Sequence, residues 1–308
     1  MLRRSIMTGW LVVNHFVKSK KFMEIFNMLQ EAAERQQVNL IKKTNVELMC
    51  GLFDYDNISI FEKPSFILFW DKDIRLANFL EEKGFRLFNT ASAIEICDDK
   101  SLSHIKLSQQ GIKTPKTIVS PKIYWDVDYE KEEYIDMVIE TLGFPLIVKE
   151  CFGSFGRQVY LVQNKDELIE LLKSLGVRPI LFQEFIESSK GRDVRIHIVG
   201  GKMVTSMYRY NDNDFRANIT NGGKMKEYTP ADAQIELAVK VCDALGLDFA
   251  GVDILFGEND EPVFCEVNSN AHFKNIYDCT GVNVADYIIR HIIDEINGFN
   301  LDMKLYAN

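Results

Sequence analysis

The apolar positions of this chain switch repeatedly between a period of two and the period of a helix, and the switches lay out its elements. A short apolar run at residues 9–14 reads as a buried strand. Residues 20–36 follow with Phe22, Ile25, Phe26, Leu29 and Ala33 on one helical stripe. Val38–Ile41 and Ser65–Trp70 are further strands, a helix from Ile74 to Lys83 stops at Gly84, and Phe85–Phe88 is a strand again. Strand and helix in alternation predict a parallel sheet with covering helices. No glycine-rich fingerprint follows the first strand, so this unit carries no dinucleotide signal; it is a platform that could line a substrate pocket.

From Asp98 the pattern changes. A helix over Ser101–Gln110 closes at Gly111, Ile118-Val119 is a short strand, and Tyr129–Leu142 is an amphipathic helix ending at Gly143. Strand Pro145–Lys149, a loop Gly153-Ser-Phe-Gly156 and strand Val159–Val162 come next, then a buried strand over Ile180–Ile186. Residues 191–199 alternate strictly, with Asp193, Arg195 and His197 on one face and Val194, Ile196 and Ile198 on the other. Gly200-Gly201 turns the chain into Met203–Arg209, and the polar stretch 209–223 is long enough to be a functional lid. Thr229-Pro230-Ala-Asp232 reads as a cap followed by a helix with Ile235, Ala238, Val239, Cys242 and Leu245 inward. Phe249–Asn270 is a hairpin turning near Asn259-Asp260, and Asn283 caps a last helix.

Composition narrows the class. Hydrophobic residues make up 46% and charged residues 26%, ordinary for a globular protein of 308 residues with two or three domains. A net charge of -9 argues against a general nucleic-acid binder. The cysteines at 50, 97, 151, 242, 265 and 279 form no C-x-x-C and no metal spacing, which predicts buried, reduced thiols and a cytoplasmic setting. No apolar run reaches the length of a membrane span. Arg3 and Arg4 precede an apolar run, but Asn14 and His15 break it and no small-x-small site follows, so it reads as a first strand and not as a signal peptide.

The hairpin carries the sharpest chemistry. Glu266 and Asn268 share a face, and a turn at Asn259-Asp260 sets Asp253 opposite Glu266. Two facing carboxylates repel, more so when buried, unless a cation lies between them. Two carboxylates and an amide are hard oxygen ligands that suit magnesium or manganese, with water and substrate phosphates completing the shell. A surface hairpin with solvated acids is the alternative. The glycines of the 153–156 loop let backbone amides approach an anion, and Lys149 can add a charge to it; a plain hairpin with a loose loop competes with that reading. Lys100 is a phosphate contact or an ordinary surface lysine. Glu184, among apolar neighbours, requires a partner such as a lysine or a ribose hydroxyl.

In order and at similar spacing, these segments resemble the ATP-grasp superfamily, and within it the RimK-type and LysX-type amino-acid ligases. The match runs from Asp99 to Ile296 and includes Lys100, Lys149 with GSFG, QEFI at 183–186, GRDVR at 191–195, FRAN at 215–218, Gly222-Gly223, GVDIL at 251–255 and EVNSN at 266–270. The resemblance implies an α/β chain of the α+β ATP-grasp type: a Rossmann-like parallel-sheet domain at 1–98, a glycine-loop subdomain at 99–186 and a metal-binding subdomain at 187–308. It implies that ATP is held by Lys100, Lys149, the loop Gly153, Ser154 and Gly156, the hinge Gln183, Glu184, Phe185 and Ile186, and Asp193 near the ribose. Asp253, Glu266 and Asn268 would hold two magnesium (or manganese) ions, and Arg209, Arg216 and Asn218 would face the transferred phosphoryl group. Relatives suggest a dimer or tetramer. The chain departs from the pattern at Gln158, where many relatives have another glycine, which predicts a stiffer loop. It departs again at Ala271-His272-Phe273, where proline and glycine are commoner and the acceptor site is expected; His272 is there a substrate contact or a packing residue.

The implied reaction is ATP-dependent joining of a carboxylate to an amine of an amino acid, peptide or protein. Phosphorylation of the carboxylate provides a leaving group, the amine attacks, and ADP and phosphate are released; positioning and charge stabilisation suffice without a side-chain nucleophile. A small-molecule kinase on the same fold and a non-catalytic nucleotide-binding regulator are the alternatives.

Overall fold

The computed structural model describes residues 6–49, 63–125, 127–129 and 132–306. Arg3, Arg4, Cys50 and two residues of the expected 129–142 helix, 130 and 131, lie outside them. The chain begins with β1 (Met7–Val13), α1 (Lys20–Arg35), β2 (Val38–Thr44), α2 (Asn45–Met49), β3 (Phe66–Trp70), α3 (Ile74–Glu82) and β4 (Leu87–Phe88). All strand pairs in this sheet are parallel, in the order β2-β1-β3-β4. Strand β1 is buried on both faces: Leu11 and Val13 pack with α1, while Trp10 and Val12 pack with α3. Such two-sided burial is why the strand reads as an unbroken apolar run.

Next come α4 (Ala91–Asp98), α5 (Lys100–Ser108), β5 (Thr117–Val119), α6 (Glu133–Leu142), β6 (Leu146–Glu150), β7 (Val159–Val162), α7 (Lys165–Leu175) and β8 (Ile180–Glu184). The second sheet runs β5-β8-β6-β7 and is antiparallel, with α6 and α7 supplying its core. Helix α7, capped by Asn164 accepting from the Glu167 amide, went unread in the sequence. Helices α4 and α5 turn away from this sheet: Ala93, Cys97 and Leu107 pack with the core of the third.

That third sheet holds β9 (Arg192–Val199), β10 (Lys202–Tyr210), β11 (Lys224–Glu227), β12 (Phe249–Phe256) and β13 (Pro262–Asn268), in the order β11-β10-β9-β12-β13. Helix α8 (Asp232–Leu245) covers it, followed by α9 (Lys274–Thr280) and α10 (Val284–Tyr306). The start of α8 corrects the sequence reading. Ala231, not Thr229, is the N-cap, and Gln234 Oε1 accepts the Ala231 amide at 3.0 Å. Alanine has no side-chain acceptor, so only the glutamine half of a capping box operates. At the end of the chain Asn283 caps α10 as expected, its Oδ1 accepting from Ala285 N.

Asn89 ties the first sheet to the third. It is fully buried, donates Nδ2 to the carbonyls of Phe249 (2.9 Å) and Ser269 (3.1 Å), and accepts the amides of Asp248 and Phe249 at Oδ1. Trp70 stacks on Phe249 at 5.7 Å beside it. The β12–β13 hairpin is thereby held against the C-terminal end of β3, the end of a parallel sheet where ligands bind.

Candidate active site

The hairpin sets Asp253 opposite Glu266 and Gly251 opposite Asn268. The turn falls at Asn259 and Asp260, both with φ near +60° (55° and 60°), a conformation that asparagine and aspartate tolerate. A bulge opposite Asp253–Ile254 interrupts strict alternation at Cys265. Phe264, which alternation puts on the face of Glu266, is swung instead into the core with Val252, Ile254 and Val267. Cys265 and Glu266 then both line a cavity.

Two cavities meet here. One lies between the second and third sheets and is lined by Lys149, Phe185, Ile186, Asp193, Asp253 and Cys265, among others. The other lies against the first sheet and is lined by Asn14, Lys21, Phe22, Trp70, Asp71 and His272, with Phe155 of the glycine loop. Arg209, Asn218 and Glu266 line both. In the loop, Ser154 faces the second cavity and Gly156 the first.

The loop is braced from three sides. Gln158 Oε1 accepts the Ser154 amide at 3.2 Å, and a Cβ on Gly153 would come within 2.6 Å of that oxygen. Gln158 thus ties the loop to the strand that follows it. Arg216 donates Nη1 to the Gly156 carbonyl at 2.7 Å and clasps Asp214 with Nε and Nη2. Gly156 has φ +71°, and a Cβ there would meet Asn218 Oδ1 at 2.4 Å, so a side chain would be strained and would displace Asn218. At the tip, the Phe155 carbonyl accepts from Thr220 Oγ1, while Lys21 Nζ sits 4.3 Å from the Phe155 ring centroid. The 211–223 segment and α1 thus grip the loop between them.

Other expected contacts have specific surroundings. Lys100 is buried at the first turn of α5 and donates Nζ to the Gly153 carbonyl at 3.2 Å, at the base of the loop. Lys149 is buried on β6 and lines the sheet–sheet cavity. Gln183 turns its side chain to Thr117 Oγ1 (2.8 Å) and His104, and its backbone lies in the ladders that join β8 to β5 and β6. Glu184 finds a protein partner in the Lys116 amide, accepted at 2.8 Å. Phe185 and Ile186 follow the last ladder pair, past the end of β8.

A row of four charges crosses β9, β10 and β12. Arg209 donates to both oxygens of Asp193 at 2.6 and 2.7 Å and is ion-paired with Asp253 at 2.8 Å. Arg195 donates Nε and Nη2 to the two oxygens of Asp253 at 2.6 and 2.7 Å. Burial opposes ionisation of Asp253, but the two guanidiniums overcome it and hold its carboxyl well below the usual range. Burial pushes Asp193 upward, yet two hydrogen bonds from an arginine that keeps its proton favour the ionised form. His197, buried under Arg195, is held neutral, its pKa depressed to about 3 by burial and then by that charge.

Glu266 and Asn268 make no side-chain hydrogen bond or ion pair among the described residues. No group of three His, Cys, Asp or Glu side chains forms among them either, so a divalent ion here would rest on two carboxylates and the Asn268 amide. This all-oxygen set fits magnesium or manganese; both Asp253 oxygens also face arginines.

The sequence reading missed the residues of the first sheet: Asn14 after β1, Asp71 after β3, and Lys21 on α1. A signal existed, since polar residues directly after buried parallel strands mark a ligand-binding edge. Arg195, placed on the right face, was given no role. His272 donates Nε2 to the Lys21 carbonyl at 3.1 Å and packs edge-on to Phe22; burial depresses its pKa to about 4.

Residues 97–292 match the model of the RimK-like ATP-grasp domain. An uncharacterized protein of Mycoplasma genitalium, MG012, is 32% identical over 274 residues, covering 85% of this chain and 95% of that one. A probable alpha-L-glutamate ligase of Syntrophotalea carbinolica is 38% identical over 208 residues, 66% of each chain. In fold, the D-alanine–D-alanine ligase of Bacillus anthracis complexed with ATP superposes with a TM-score of 0.71 at 20% identity, over 96% of this chain and 99% of that one. The chain belongs to the RimK-like ATP-grasp family and is an ATP-dependent carboxylate–amine ligase.

Proposed function

We propose that ATP occupies the sheet–sheet cavity and that the carboxylate and amine occupy the cavity against the first sheet. What carries this reading is the pair of cavities meeting at Arg209, Asn218 and Glu266. A terminal phosphoryl group can then pass from one to the other in line. Lys149 and the loop amides of 153–156 contact the phosphates, Lys100 supports the loop, Phe185 and Ile186 offer backbone to the base, and Asp193 fixes Arg209. Magnesium held by Asp253, Glu266 and Asn268 would supply charge neutralisation for the phosphates. Arg209 and Asn218 stabilise charge on the transferred group and the tetrahedral oxyanion, while Arg216 keeps the loop in place. Units 1–98, 99–186 and 187–308 supply, respectively, the substrate wall, the nucleotide wall and the reacting groups.

The named substrate of the Syntrophotalea relative makes glutamate the first amine to try. The free thiols at 97, 151, 242, 265 and 279 support a cytoplasmic setting, and no helix among the described residues is long and apolar enough to cross a membrane. The test is release of ADP over a matrix of carboxylates and amines, with the joined product identified by mass. Ligation predicts turnover that requires both partners. A stable phosphorylated acid formed without an amine would instead make this a kinase.

A further inference from the structure

Asp253 and Glu266 face each other on adjacent strands, yet their surroundings differ completely. Glu266 is unpaired among the described residues, whereas Asp253 accepts two hydrogen bonds from Arg195 and forms an ion pair with Arg209 at 2.8 Å. A carboxylate so engaged has little lone-pair capacity left, and a divalent ion beside it would meet two positive charges. For Asp253 to serve a metal, one arginine has to yield.

The two arginines are held unequally. Arg209 is wedged between Asp193 and Asp253, and its side chain is 4% exposed. Arg195 has Asp253 as its one carboxylate partner among the described residues, is 14% exposed, and lines the cavity against the first sheet. We infer that Arg195 is a displaceable stand-in for the cation: ion binding takes an Asp253 oxygen and frees the Arg195 guanidinium for the anionic group of the substrate in the cavity it already lines. Arg195 is then a positioning residue before the ion binds and a substrate contact after it. The exchange orders the events, since the guanidinium becomes available once the nucleotide's ion is in place. This rests on the assignment of Asp253 as a metal ligand.

Manganese binding in the presence of a non-hydrolysable ATP analogue, read by the electron paramagnetic resonance of free Mn2+, tests the exchange without turnover. Arg195→Gln removes the competitor, so Mn2+ is expected to bind about tenfold more tightly than to the native protein. Lys21→Met deletes another cation of the same cavity and controls for general electrostatics; its effect is expected to be no more than about twofold. The Arg195 Nε–H resonance of the native protein is expected to shift and exchange faster on adding Mg2+ and analogue, with that of Arg209 unmoved. Unchanged or weaker Mn2+ binding by Arg195→Gln, or an effect matched by Lys21→Met, overturns the inference. Asp253→Asn separates the two claims. If it weakens Mn2+ binding while Arg195→Gln has no effect, the exchange fails and the metal assignment stands; if it leaves Mn2+ binding unchanged, both fail.

Discussion

The two cavities are built on different principles. The sheet–sheet cavity is made from short contiguous pieces: a strand and its loop at 149–156, a strand end at 183–186, and facing strands at 193 and 253–266. The cavity against the first sheet is assembled from residues between Asn14 and Asn275, contributed by a strand end, a helix, a loop tip and the segment after β13. A nucleotide is common to a whole family, so its contacts can reside in local motifs. The cavity against the first sheet is specified by which elements pack together. The loop is the hinge of this comparison, with Gly156 in the sheet–sheet cavity and its Ser154 and Phe155 in the other.

Glu266→Gln strikes the shared boundary and is expected to have the largest effect. Loss of the free carboxylate should reduce kcat by about 10^3- to 10^4-fold, while ATP affinity measured without magnesium changes by less than about threefold. Turnover near the native rate in this variant would falsify the metal role of Glu266 and leave only the shape of the cavities.

Arg209→Met tests the buried row of charges. It strands Asp193 and leaves Asp253 to Arg195 alone, at a cost of about 3–5 kcal/mol in stability. The pH dependence has a definite sign. In the native protein the depressed Asp253 carboxyl contributes stability that is complete above its ordinary value of 3.8 and is lost as pH falls below it. In the variant Asp193, raised by burial with only the charge of Arg195 to offset it, takes up a proton more easily when folded. Its destabilisation should therefore shrink as pH is lowered from about 7 to 5, read as a converging pair of thermal unfolding midpoints. A deficit that is constant across that range would show that Asp193 keeps another partner.

Phe155→Ala touches only the substrate side and should have the smallest effect. The ring closes over Lys21 and Phe22, so its loss should admit water and raise KM for the acid or amine by about three- to tenfold, with KM for ATP nearly unchanged. An equal rise in both KM values would mean that the loop tip acts through the nucleotide.

How much could be read in advance follows the same division. The alternation in 191–199 placed Asp193 and Arg195 together, and the spacing across the 249–270 hairpin placed Asp253 against Glu266, because strand neighbours follow from period and turn length alone. The same alternation misplaced Phe264, since a bulge is a tertiary accommodation that leaves no mark in the pattern. Thr229-Pro230 looked like a helix start, yet the helix begins two residues later, where packing and Gln234 fix its end.

The sequence by itself determined the parallel first sheet, the glycine loop, the acidic hairpin and the family, all of which depend on residues close together in the chain. Only the tertiary structure decided that Asn89 pins the first sheet to the hairpin, that Lys21 reaches the loop tip, and that Asp253 is held by two arginines. Those contacts join residues tens to hundreds of positions apart. Their geometry comes from the packing of three sheets, which no local period records.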